Sequence, residues 1–87
     1  MAVLTTIRYF ASVREAVGCA SESVQFPAEV QTLGQARAWL AARSARHAEA
    51  LGPERTLRMA CDHVMAPPEA QLRQGGELAF FPPVTGG

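Results

Sequence analysis

Two consecutive prolines, Pro82 and Pro83, close the last apolar run of this chain, and only Val84, Thr85, Gly86 and Gly87 follow them. Neither proline has a backbone N–H, and both favour an extended path, so this segment is barred from helix and from the middle of a sheet. The last strand must therefore end by Phe81, and residues 1–81 have to complete the fold. Residues 82–87 are left as an extended tail, which at about 3.3–3.6 Å per residue reaches roughly 20 Å. No ionisable side chain follows Glu77, and the two glycines carry no Cβ, so their backbone fits a channel too narrow for other residues. The expectation is a probe that carries the Gly87 carboxylate, with Gly86 behind it, into the active site of another protein.

Composition narrows what that probe can do. Eight arginines balance eight acids, so no basic field exists to hold a nucleic-acid backbone or an anionic membrane. Lysine is absent, which removes Schiff-base chemistry and any side-chain amine for self-conjugation. Cys19 and Cys61 are far apart and lack ligand spacing, so no metal site is expected; two unpatterned cysteines fit a reducing cytoplasm. No apolar run approaches the ~20 residues that span a bilayer. The chain reads as soluble and intracellular.

Period two in Val3–Tyr9 predicts a first strand, with Val3, Thr5, Ile7 and Tyr9 on one face and Leu4, Thr6, Arg8 and Phe10 on the other. Ser12-Val-Arg-Glu15 has the spacing of a capping box, and Gly18 suits the end of a short helix. A second strand is expected over Glu22–Phe26, with Val24 and Phe26 inward. Thr32-Leu-Gly-Gln35 opens the longest helical stretch, about Leu33 to His47. Trp39 either closes the core edge or faces a neighbour. Leu57, Met59 and Cys61 alternate as a third strand, Asp62-His63 forms a tight turn, and Val64-Met65 returns. In the last strand Leu78 and Phe80 share one face, while Ala79 and Phe81 share the other. An N-terminal hairpin crossed by one main helix, with the last strand beside the first in a mixed sheet of about five strands, is an α+β, ubiquitin-like β-grasp arrangement.

Three blocks carry a closer likeness: Tyr9-Phe-Ala-Ser-Val-Arg-Glu-Ala-Val-Gly18, the approach Leu72-x-x-Gly-x-Glu-Leu78, and Ala79-Phe-Phe-Pro-Pro-Val-Thr-Gly-Gly87. Through them the chain resembles the MoaD family of small molybdopterin synthase subunits, within the wider MoaD/ThiS ubiquitin-like family. Cys61-Asp62 and Gln74-Gly75-Gly76 depart from that pattern at two turns, where Asp or Gly meets the same backbone demand. The resemblance implies that Gly87 is adenylated by a MoeB-like enzyme that consumes ATP, then converted to a thiocarboxylate with sulfur from a persulfide-bearing partner. It further implies a MoaE-like large subunit, in a heterotetramer of two large and two small subunits. There the sulfur passes to cyclic pyranopterin monophosphate. This chain would bind no cofactor itself.

On that reading the chain supplies a reagent, not a catalytic constellation. Phe10, Phe81 and Met65 are expected to form an exposed apolar docking patch with Arg8 on its rim, continued by Pro82, Pro83, Val84 and Thr85. His47 is expected at a helix end on the surface, where the C-terminal dipole favours its cation, and His63 in a turn. Glu15, Glu22, Glu49 and Glu54 have no paired spacing for acid–base work. Cys61 follows the inward alternation of Leu57 and Met59, and buried thiols are usually inert. Three other functions fit the same tail: a sulfur carrier for another product (a ThiS-like donor for thiazole, or a carrier for tRNA thiolation or cysteine synthesis), a ubiquitin-like modifier forming isopeptides on lysines, and a binding domain whose terminus is incidental.

Overall fold

In the computed structural model, which describes residues 3–83, the first β-branched run forms β1 (Thr5–Tyr9). Thr5, Ile7 and Tyr9 are buried and the residues between them exposed, as period two requires. The chain then forms α1 (Ala11–Val17), β2 (Ser21–Val24), α2 (Leu33–Ala41), α3 (Ala45–Leu51), β3 (Arg58–Cys61), β4 (Val64–Met65) and β5 (Glu77–Phe81). The sheet order is β2-β1-β5-β3-β4. β5 lies parallel to β1, with Ile7 opposite Leu78 and Tyr9 opposite Phe80. The β1–β2, β3–β4 and β3–β5 pairings are antiparallel. One face of the sheet meets the helices, and Ile7, Tyr9, Leu33, Leu40, Leu51, Leu78 and Phe80 are at most 1% exposed in that interior.

Local chemistry accounts for most boundaries. Thr32 Oγ1 accepts from the Gln35 N–H at 3.1 Å and Gln35 Oε1 accepts from the Thr32 N–H at 3.1 Å, completing the expected capping box. Gly18 takes φ 97° and closes α1. Asp62 and His63 both have positive φ, 49° and 69°, as a two-residue type I′ hairpin demands. Asp62 Oδ1 also accepts from the Glu77 N–H at 2.9 Å, tying this hairpin to β5. Gly76 makes that approach possible, because a Cβ there would stand 2.5 Å from Asp62 Oδ1.

Three expectations need correction. Ser12 does not cap α1: the helix begins at Ala11, Phe10 stands at the N-cap, and no side chain caps it. Phe10 remains tied to β5 through its N–H to the Phe80 carbonyl at 3.1 Å, and its own carbonyl receives the Val13 N–H at 3.0 Å. The turn therefore starts before Ser12. The second strand is Ser21–Val24, not Glu22–Phe26, because β1 offers no partner beyond the Thr5–Val24 pair. Phe26 nevertheless stays buried, with Trp39 edge-on at 5.0 Å, so Trp39 closes the core edge. Finally, the long helix is two helices. The Arg43 N–H bonds to the Leu40 carbonyl at 3.0 Å, tightening the end of α2, and Ser44 Oγ then accepts the His47 N–H at 3.1 Å to start α3.

Candidate functional site

Strand parity builds a second face on the sheet, away from the helices. Phe10 follows β1 on that face, and Ala79 and Phe81 supply it from β5. Ala60 from β3 lies opposite both Ala79 and Met65. These strands enclose a shallow hollow of about 360 Å³ lined by Arg8, Phe10, Ala60, His63, Met65, Glu77, Ala79 and Phe81. Phe10 is 40% and Met65 51% exposed. Phe81 is half-buried because its ring meets Phe10 edge-on, with centroids 6.1 Å apart. The structure thus brings Phe10, Met65 and Phe81 onto one apolar surface, while Phe80 points into the core.

A polar strip borders this surface. Arg8 lies over the Phe10 ring, 5.6 Å from its centroid, a cation–π arrangement. Glu77 sits between Arg8 at 3.8 Å and His63 at 3.6 Å. Arg8 was expected at the rim. Glu77 and His63 were not, because their approach depends on the β1–β5 and β3–β5 registers, and Asp62-His63 showed only its turn preference. Pro82 and Pro83 leave β5 half-buried, Pro82 beside Val13 and Leu57 in a small hollow of about 210 Å³. Val84, Thr85, Gly86 and Gly87 lie outside the described residues.

His47 overturns its expectation. It lies in the first, N-terminal turn of α3, not in a C-terminal turn, and its side chain is only 14% exposed. Glu22 Oε2 accepts from the Tyr9 hydroxyl at 2.7 Å and pairs with His47 Nε2 at 2.7 Å, while His47 Nδ1 lies 2.7 Å from Ser44 Oγ. Arg43 stands 3.9 Å from the other Glu22 oxygen. This network joins β1, β2 and α3; its only signal in sequence was that a buried Tyr hydroxyl needs a partner. Burial drives the Tyr9 pKa far up, helped by the hydrogen bond to Glu22 and its charge. For Glu22, burial opposes ionisation, but the hydrogen bonds from His47 and Tyr9 and the charges of His47 and Arg43 outweigh it, holding the carboxyl below its usual range.

The sign of the resulting pH dependence follows from that depressed value. Glu22 contributes stability above the ordinary carboxylate pKa, and the contribution disappears as pH falls through the lower folded value. Glu22→Gln should therefore lower the melting temperature at neutral pH, with the gap to wild type closing in acid. A gap that stays constant from pH 7 to pH 3 would show that ionised Glu22 adds nothing.

Cys19 is exposed and Cys61 half-buried, both free. Partial desolvation and the Glu22 charge push the Cys19 thiol up, away from thiolate. Among the described residues no three His, Cys, Asp or Glu side chains converge for a metal, and no helix is long and apolar enough to cross a membrane.

A mixed five-stranded sheet with its last strand parallel to its first, helices on one face and an apolar patch on the other defines a ubiquitin-like β-grasp protein. The chain belongs to the ThiS family, whose pattern matches residues 7–87. It is 38% identical over 81 residues to the molybdopterin synthase sulfur carrier subunit of Escherichia coli (strain K12), a match covering 93% of this chain and 96% of that protein. The protein of the same name from Haemophilus influenzae is 33% identical over 84 residues, covering 97% of this chain and all of that one (100%). Among solved structures, SAMP1 from Haloferax volcanii superposes with a TM-score of 0.70 at 26% identity, covering 97% of this chain and 99% of that one.

Proposed function

We propose that this chain is the sulfur-carrier subunit of a molybdopterin synthase, with the Gly87 carboxylate as the point of loading. The observation that carries this reading is the end-to-end likeness to two relatives of that name. An exposed apolar face on the strand that ends at Phe81 gives the likeness a physical use, since a partner docked there would lie beside the start of the tail.

A carboxylate resists nucleophiles because of its charge and because oxide is a poor leaving group. Attack of a Gly87 oxygen on the α-phosphorus of ATP, in a MoeB-like enzyme, releases pyrophosphate and leaves an acyl-adenylate. Sulfide attacking that acyl carbon expels AMP and leaves the thiocarboxylate; a persulfide donor gives an acyl disulfide, which a thiol then cleaves. The thiocarboxylate sulfur is a soft nucleophile. In a MoaE-like large subunit, two successive loaded carriers would supply the two sulfurs of the dithiolene built on cyclic pyranopterin monophosphate. A heterotetramer of two large and two small subunits fits that stoichiometry. Catalytic side chains would belong to the large subunit.

Intact mass after incubation with adenylating enzyme, ATP and sulfide is the first test: one oxygen should be exchanged for one sulfur. The loaded chain, mixed with the large subunit and the pterin, should then form the dithiolene product. No mass gain would remove the carrier reading, and a loaded chain that leaves the pterin unchanged would assign its sulfur to another acceptor.

Phe81→Ala should weaken binding to the large subunit by about 2 kcal/mol or more, as truncation of an aromatic anchor does. Its half-exposed ring implies a smaller effect on the melting temperature than a core aromatic would show. Calorimetric titration and a thermal melt on the same variant check both halves.

A further inference from the structure

We infer that the large subunit docked on the outer sheet face also reaches around β4 and lays an acidic, apolar segment in a groove between β3 and α2. The inference rests on the carrier reading. β4 covers only Ala60 and Cys61, so among the described residues no strand opposes Leu57 and Arg58 on that side of β3. The groove consists of two hollows of about 400 and 350 Å³, which share Arg37, Met59 and Pro68 in their walls. Ala38 and Ala41 from α2 extend its apolar lining.

Charge and continuity identify the occupant. The charged residues lining the groove are Arg37 and Arg58, with no carboxylate beside them in the lining, although acids and cations balance over the whole chain. Arg37 already donates to the carbonyls of Leu51, Gly52 and Arg55 at 2.6–2.8 Å and lies in the field of Glu54. Arg58 is exposed and has no ion-pair partner among the described residues. It also lies opposite Phe81, next to the apolar face. Met65 lines both the outer hollow and the groove, so one bound chain passes from one to the other without crossing a gap. The adjoining groove extends the contact surface, and a carboxylate is the partner group that exposed Arg58, unpaired among the described residues, selects.

Titration of the cognate large subunit with wild-type chain, Arg58→Glu and Ala38→Trp tests this footprint. Both positions are exposed, and thermal melts verify that both variants stay folded; Arg58→Ala replaces the reversal if it does not. Charge reversal should raise Kd about tenfold, with the loss shrinking as salt rises. Ala38→Trp should raise Kd by filling the groove, with little change in salt dependence. Wild-type affinity in both variants, with Phe81→Ala still weakened, would confine the partner to the outer face and overturn the groove alone. The sulfur-loading assay runs in parallel: a wild-type chain that neither loads nor binds overturns the carrier reading and the groove together.

Discussion

Deleting Gly87 is expected to abolish sulfur uptake while leaving the melting temperature of the chain unchanged. The shortened chain still ends in a glycine carboxylate, so a simple requirement for a terminal carboxylate would predict normal loading. The distinction is reach. One residue contributes about 3.3–3.6 Å to an extended tail, and attack on ATP needs the reacting atoms within about 3–3.5 Å. A tail one residue short places its carboxylate a full bond-forming distance away. Stability should not follow, because among the described residues the interior ends with Phe80 and β5 ends at Phe81. Gly86→Val probes the other requirement, width, since a β-branched residue adds bulk and narrows the backbone's accessible conformations. It should also fail to load. Sulfur gain by the truncated chain at the wild-type rate would move the carrier atom elsewhere, with exposed Cys19 the first thiol to examine. Normal loading of Gly86→Val would mean that the tail reacts in an open site.

Much of the fold was readable because its determinants are local. Thr32 and Gln35 cap each other across one turn, Gly18 supplies a left-handed residue where a helix must stop, and Asp62-His63 accept the two positive φ values of a tight hairpin. Period two placed Phe10 and Phe81 away from Ile7 and Phe80, which made the apolar face legible before any register was known. The break at Ser44 was not legible. Ala-rich sequence on both sides of it favours helix, and the reason to stop lies far along the chain. Arg37 holds the end of α3 through the Leu51 and Gly52 carbonyls, 14 and 15 residues away, and this end brings Ala50 and Leu51 into the core. His47 was misplaced for the same reason, since Glu22 becomes its neighbour only when β2 and α3 meet. Spacing within a turn held at Thr32 and Gln35 but not at Ser12, which does not cap α1, and it failed at His47, where the side chain answers to another element.

Phe80→Ala is expected to produce the largest loss of stability of any single truncation in the sheet. Phe80 is fully buried (0% exposed), lies between Tyr9 on β1 and Met59 on β3, and stacks on the Tyr9 ring with centroids 6.2 Å apart. Removing the ring forfeits its transfer free energy and leaves a cavity that a parallel–antiparallel junction has little freedom to close, so a cost of roughly 3–5 kcal/mol is expected. Domains of this size have only about 5–15 kcal/mol of stability in total, and each kcal/mol corresponds to about 4–8 °C in melting temperature. The variant should therefore melt well over 10 °C below wild type. The same cavity would loosen Tyr9 and, through its hydroxyl, the Glu22–His47 network. Denaturant unfolding of Phe80→Ala beside Phe81→Ala provides the comparison, because the two side chains are adjacent in sequence but face opposite sides of β5. Equal destabilisation of the pair would mean that the outer ring supports the fold as strongly as the inner one, and the outer face would then be part of the core and not a surface held open for a partner.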